Sequence, residues 1–312
     1  RDLIYISPNT LLDDTHQGPG GVAAAYIRGI GVSEVEKNFD PAVGVVVDGI
    51  FRGTMTGSIE RAIDLERVEV LRGPQGTLFG RNTIGGVFNM ERSKPTGETG
   101  GKFRASYGSY DTSVIDGIFN FGLGDSLAVK LSGAYRKQGE GFFKNLNTGR
   151  KDGQSEYSSA GINVLWSPTE NLEIEWTYQI ERTDQDTPPL LYAGQSGQLF
   201  CDAFGICAPS VTTPISGDRY KVVTAYGDEA THIFGEPFDP PGYDEPHGFN
   251  QATYDADTNQ IEVRWDVNDS YHVDYIVGSW ETEETVVTDW DAVTEVLFHT
   301  DRPADYKQTS HE

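Results

Sequence analysis

Methionine and cysteine are scarce, with two of each in 312 residues. No stretch approaches ~18 uninterrupted apolar residues, which excludes a membrane-spanning helix. Positive charge is short too: 24 Lys and Arg stand against 48 Asp and Glu, a formal net charge of −24. That balance argues against a nucleic-acid partner. The histidines His16, His232, His247, His272, His299 and His311 are scattered, with no HExxH pattern and no i, i+4 pair. There is no GxxxxGK[ST] phosphate loop and no GxSxG nucleophile elbow. No catalytic residue, metal-ligand set or cofactor site is expected, and the chain does not read as an enzyme. The run Asp255-Ala256-Asp257-Thr258-Asn259 lacks the Gly and the closing Glu of a calcium loop, so it reads as an acidic turn.

Glycine is abundant at 36 residues, and Tyr and Phe number 15 each. Gly and aromatics with few helix formers point to many strands and turns. The length suits about two domains. The acidity is local: residues 181–312 hold 6 basic and 26 acidic residues. Such a surface attracts cations or simply solvates long loops. Cys201 and Cys207 enclose five residues in a polar Gly- and Pro-rich stretch, which fits a small disulfide loop better than a zinc site. The chain opens on Arg1, shows no charged segment followed by an apolar one as a signal peptide would, and reads as a piece of a longer protein.

The grammar changes near residue 97. Residues 1–97 mix short β-like runs with Gly turns: Ala42 to Val47 closed by Asp48-Gly49, and Val68 to Leu71 stopped by Gly73-Pro74. This reads as a small α+β domain, with a linker over Lys94 to Gly101. Residues 98–312 form the second unit. There, period-2 alternation predicts consecutive antiparallel strands over 101–107, 113–121, 127–137, 156–166, 172–182, 255–267 and 271–280. That is about seven strands of roughly the length that crosses a bilayer when tilted. Leu131, Ile162, Ile174 and Val263 fall on one face. Lys130, Arg136, Glu173, Glu175, Arg264 and Asp266 fall on the other. One set of connections is short (122–126, 167–171, 268–270) and the other mostly long (138–154, 184–252, 289–308), the layout of an outer-membrane barrel. A soluble sandwich would need one dry face per strand, and loops near 70 residues do not suit it.

The stretch Tyr26 to Met90 reads YIRGIG, PAVGVVVDGIFRG and then IERAIDLERVEVLRGPQGTLFGRNTIGGVFNM. It closely resembles the plug domain of TonB-dependent outer-membrane receptors, over about the first 97 residues. The resemblance implies an α+β plug followed by part of a transmembrane antiparallel β-barrel of 22 strands, in the outer membrane of a Gram-negative bacterium. It also implies energised uptake of a large scarce solute, most often a ferric siderophore or similar iron chelate. Its partners would be that cargo, outer-membrane lipid and the TonB–ExbB–ExbD complex, which pulls on a segment upstream of this chain. Haem, cobalamin and oligosaccharides are alternative cargoes on the same scaffold. A passive porin or a surface-binding protein would be other uses of a barrel. By the same resemblance Arg28, Glu69, Arg72 and Arg81 are candidate plug–barrel contacts, with Glu173 or Glu175 as wall partners. Phe51, Arg52, Met55 and Thr56, followed by Tyr192 and Phe200 in the long loop, are candidates to face the ligand.

Overall fold

In the computed structural model, residues 7–13, 24–32, 39–57, 64–146, 149–187, 221–222, 251–289 and 299–312 are described. Among them no helix is long and apolar enough to cross a membrane. The N-terminal unit holds two small sheets. One runs β1 (Thr10–Asp13), β2 (Ala24–Ile27), β3 (Ile30–Gly31). The other has the order β5-β4-β7-β6, with β4 Val43–Val47, β5 Ile50–Phe51, β6 Leu65–Arg72 and β7 Gly86–Arg92. Between β6 and β7 lies the short helix α1, Gly76–Phe79. β4 and β7 are parallel, whereas β5 and β6 run against them. Asp48 and Gly49 both take positive φ, 46° and 82°, the pair that a tight β4–β5 hairpin turn requires. The core gathers Ile27, Val45, Val47, Phe88 and Met90 from both sheets, each at most 3% exposed. Five such side chains stabilise by roughly 1.5–3 kcal/mol each.

The C-terminal unit is one eight-stranded sheet. Its strands are β8 (Gly100–Gly108), β9 (Thr112–Gly122), β10 (Leu127–Gln138), β13 (Ser155–Thr169), β14 (Leu172–Asp186), β16 (Gln251–Asn268), β17 (Tyr271–Asp289) and β18 (His299–His311). They are neighbours in chain order and antiparallel throughout. The seven strands expected from alternation are all there. Two differences have physical reasons. Residues 299–308, expected inside a loop, belong to an eighth strand that runs from 299 to 311. Both of its faces are polar and Pro303 interrupts it, so alternation could not announce it. The run at Asp255, expected as an acidic turn, lies within β16. There Arg182 sits 3.3 Å from Asp255 and 3.4 Å from Asp257, which removes the repulsion that would break a strand.

Alternation sorts the two faces. Leu131, Trp166, Ile261 and Trp265 lie exposed on the outer one. Lys130 is buried at 3% on the inner one, against which the N-terminal unit packs. A third small sheet, β12-β11-β15, joins Phe143–Asn145 and Lys151–Asp152 to Lys221–Val222. It belongs to the long connections, at the end of the sheet opposite the short turns.

Candidate functional site: the seam between the small domain and the wall

From the Asp48–Gly49 turn the chain climbs the inner face of β16, β17 and β18, from the short-turn end towards the long-loop end. Clearances alternate between the two sides. A Cβ on Gly49 would lie 2.5 Å from Ile276 Cδ1. A Cβ on Gly278 of the wall would overlap Ile50. Higher up, side chains on Gly53 and Gly57 would overlap the hydroxyls of Tyr306 and Tyr254. Arg52 is 3% exposed and its guanidinium lies 4.6 Å from the centre of the Trp280 ring, which meets Tyr306 edge-on at 5.6 Å. A cation over indole is worth about 2 kcal/mol when desolvated. Gln308 spans the β5 edge as a strand would: its Nε2 donates to Phe51 O at 2.6 Å, and Gly53 N–H donates to its Oε1 at 3.0 Å. Gln260 Nε2 donates to Asp48 O at 2.8 Å.

Lower on the wall the contacts are charged. Asp48 holds Arg92 at 2.5 Å, and Arg92 donates onward to Gln179 of β14. Lys130 pairs with Asp64 and donates to Ser93 O, while Ser93 Oγ donates to Asp64 at 2.7 Å. Lys130 and Asp64 side chains are only 4% and 10% exposed. Breaking such a buried pair costs about 3–5 kcal/mol, because the survivor is stranded away from water. Beside these contacts a polar gap of ≈270 Å³ separates β7 from the wall, with Glu66, Glu91, Lys94, Glu175, Glu262 and Arg264 among its lining.

The candidates from sequence fall into three groups. Of the residues expected to face a ligand, Phe51 and Arg52 lie instead against the wall, Met55 packs on Ala24 within the small domain, and Arg52, Met55 and Thr56 are at most 4% exposed. Of Arg28, Glu69, Arg72 and Arg81, Arg81 lies near enough to Tyr306 of β18 to act on its hydroxyl electrostatically. Glu69 accepts from Asn89 at 3.1 Å and lies 3.4 Å from Arg67. Arg28, Arg72 and Arg81 are exposed, and among the described residues none of the three has an ion-pair partner. Glu173 pairs with Lys94 at 3.8 Å and with Arg264 at 3.4 Å; Glu175 lies 3.5 Å from Arg264. Tyr192, Phe200, Cys201 and Cys207 lie outside the described residues.

Sequence reasoning missed Gln260, Gln308, Asp64, Arg92 and Trp280. Their only signal was a polar or aromatic residue on the inner set of a period-2 strand, or a charge at a strand end. It also passed over residues 73–85, which join β6 to β7 at the long-loop end. Leu78 and Ile84 there are 76% and 62% exposed, so this turn is the open upper surface of the small domain.

A second polar cluster ties the hairpin of β11 and β12 to the top of β14. Asp186 accepts from Arg150 at 3.0 Å and from the N–H groups of Gly153 and Gln154 at 2.8 and 2.9 Å. Asp152 accepts from Asn145 at 3.0 Å, with Arg150 3.7 Å away. Burial pushes the Asp152 carboxyl up to about 6, against the opposing pull of Asn145 and Arg150.

Residues 3–87 match the model of the TonB-dependent Receptor Plug Domain. The pesticin receptor of Yersinia pestis is 29% identical over 153 residues, which cover 49% of this chain and 23% of that protein. The catecholate siderophore receptor Fiu of Escherichia coli O6:H1 is 33% identical over 250 residues, covering 79% of this chain and 27% of that one. The chain thus spans about a quarter of the length of these relatives. In fold it is similar to the ferric yersiniabactin uptake receptor FyuA of Yersinia pestis, with a TM-score of 0.70, 17% identity, and coverage of 98% of this chain and 41% of that one. These matches and the fold define one class: the chain is part of a TonB-dependent receptor, a plug domain followed by antiparallel strands of the barrel wall.

Proposed function

We propose that the protein containing this chain takes up a ferric siderophore across the outer membrane of a Gram-negative bacterium, energised by the TonB–ExbB–ExbD complex. The observation that carries the reading is a plug seated on the polar inner face of a strand wall whose outer face is apolar. The names of the relatives, receptors for catecholate siderophores and ferrioxamine among them, support an iron chelate as cargo. In this reading the plug runs to about residue 97 and the wall occupies residues 98–312. Arg28, Glu69, Arg72 and Arg81 meet wall charges outside this chain. The open turn 73–85 presents the plug to arriving cargo, together with the long loop that carries Tyr192 and Phe200.

Such an arrangement works by reversible attachment. Partly solvated ion pairs such as Lys94–Glu173 are each worth little, so the buried Lys130–Asp64 pair is the charged contact whose release limits movement of the plug. The test is growth and radiolabelled iron uptake under iron limitation, with the intact gene and without it, across a panel of purified ferric siderophores. Loss of uptake of one chelate on deletion is the expected result. Equal uptake of every chelate in both strains would remove iron from the reading.

A further inference from the structure

We infer that the plug strip from Gly49 to Gly57 is a fixed seat, which stays docked on β16–β18 during uptake. The inference rests on the uptake reading and adds to it which part of the plug stays in place.

The geometry of the seam carries it. The teeth point both ways: Ile50 of the plug fills the space over Gly278 of the wall, and Ile276 of the wall fills the space over Gly49 of the plug. Tyr306 and Tyr254 repeat the second arrangement over Gly53 and Gly57. Interlocking of this kind resists sliding along the wall, because a shift of one residue drives a side chain into backbone. A pull from the short-turn end acts along that same direction. The strip is also dry: Arg52, Thr54, Met55 and Thr56 are each at most 4% exposed. Peeling it away would bare a buried guanidinium and break both hydrogen bonds of Gln308 to the β5 edge.

The other side of the plug differs in kind. Between β7 and strands β14 and β16 lies the ≈270 Å³ gap, lined by charged side chains. Glu91 and Arg67, 54% and 39% exposed in the order Arg67, Glu91, pair with each other on the plug surface. Arg264 collects Glu173 and Glu175 within the wall itself. Lys94–Glu173, Arg92–Gln179 and the buried Lys130–Asp64 pair also cross this side, so it is attached by charge and hydrogen bonds rather than by interlocking.

The experiment uses the full-length receptor in cells, with Ile50→Cys paired with Gly278→Cys, the shorter side chain at 50 vacating the space that a Cβ on residue 278 needs, and oxidised to cross-link the seat. The seat predicts that the cross-link forms and that chelate uptake stays within about twofold of the reduced form. A tenfold or greater loss on oxidation, restored by reductant, would overturn it, as would failure of the cross-link to form. Gly57→Leu supplies a readout independent of cargo: the seat predicts a plug dislodged from Tyr254, and cells sensitised at least fourfold to a large hydrophilic antibiotic. Unchanged sensitivity, in a variant inserted at normal level, would overturn the seat even with uptake intact. If the unmodified receptor takes up no chelate, the uptake reading fails instead, and the antibiotic readout alone decides the seat.

Discussion

The two sides of the plug look alike in sequence and behave oppositely. Residues 48–57 and residues 72–85 are both Gly-rich, polar and flanked by short strands. The first segment disappears against the wall, with Arg52 at 3% exposure. The second stands open, with Leu78 at 76%. What separates them is the partner surface. Gly278, Trp280, Tyr306 and Gln308 of the wall present gaps and amide groups to the first. Gly49 and Gly57 in the first segment carry positive φ, as Gly73 and Gly80 do in the second, but only in the first is the glycine also a clearance for a wall side chain.

That contrast can be broken most forcefully at its base. Asp64→Ala strands Lys130 in a buried site and is expected to destabilise plug docking by about 3–5 kcal/mol. Limited proteolysis of the inserted full-length receptor should then cut the plug many times faster. An unchanged cleavage rate would mean that the pair contributes nothing to docking.

The next effect concerns the outer hairpin. The carboxyl of Asp152 titrates near 6 when docked, above its ordinary value of about 3.8. The docked state therefore binds the proton more tightly than the undocked one. Docking strengthens as pH falls from 7 through 6 and levels off near 4, by roughly 2–3 kcal/mol in all. Asp152→Asn should give the tight state at every pH. Hydrogen exchange of residues 143–152 at pH 7.5 and pH 5 measures this; exchange that is faster at pH 5 would contradict the sign.

Gln308→Leu removes the clamp on β5 while keeping the bulk. It leaves Phe51 O and Gly53 N–H without their partner, a cost of about 1–3 kcal/mol. The readout is thermal unfolding of the full-length receptor in detergent, where a lowered first transition is expected.

The smallest effect sharpens the comparison from the open side. Arg72→Ala should change stability by less than about 0.5 kcal/mol, because Arg72 is exposed and has no ion-pair partner among the described residues. Uptake by the full-length receptor is nevertheless expected to fall, if Arg72 meets wall charges beyond this chain. Reduced stability with normal uptake would reverse its assignment.

Much of the wall was legible because a half-buried strand must alternate. Leu131 beside Lys130, and Val263 beside Arg264, fix both the strand and its faces. β18 escaped because Asp305 and Lys307 face out where apolar residues would have marked it. The seam was not legible for a different reason. Whether Gly53 is a loop or a socket depends on Tyr306, 253 residues away, and no local pattern encodes that distance. The charges at Arg28, Glu69, Arg72 and Arg81 were visible as residues, but a single sequence cannot say which surface they meet.

The strands β16 and β17 are 18 and 19 residues long. About 9–11 residues suffice to cross a bilayer. On the outer face of β16, Trp265, Val263 and Ile261 give way to Asn259, Asp257 and Asp255. At that step Trp176 Nε1 donates to Asn259 at 2.8 Å and Tyr178 OH to Asp257 at 3.2 Å. In the outer membrane proposed for the protein, this step is a waterline drawn on the wall by its own side chains. Above it the same strands continue as a free-standing palisade, so the mouth of the receptor stands well clear of the lipid, and cargo meets protein before it meets membrane.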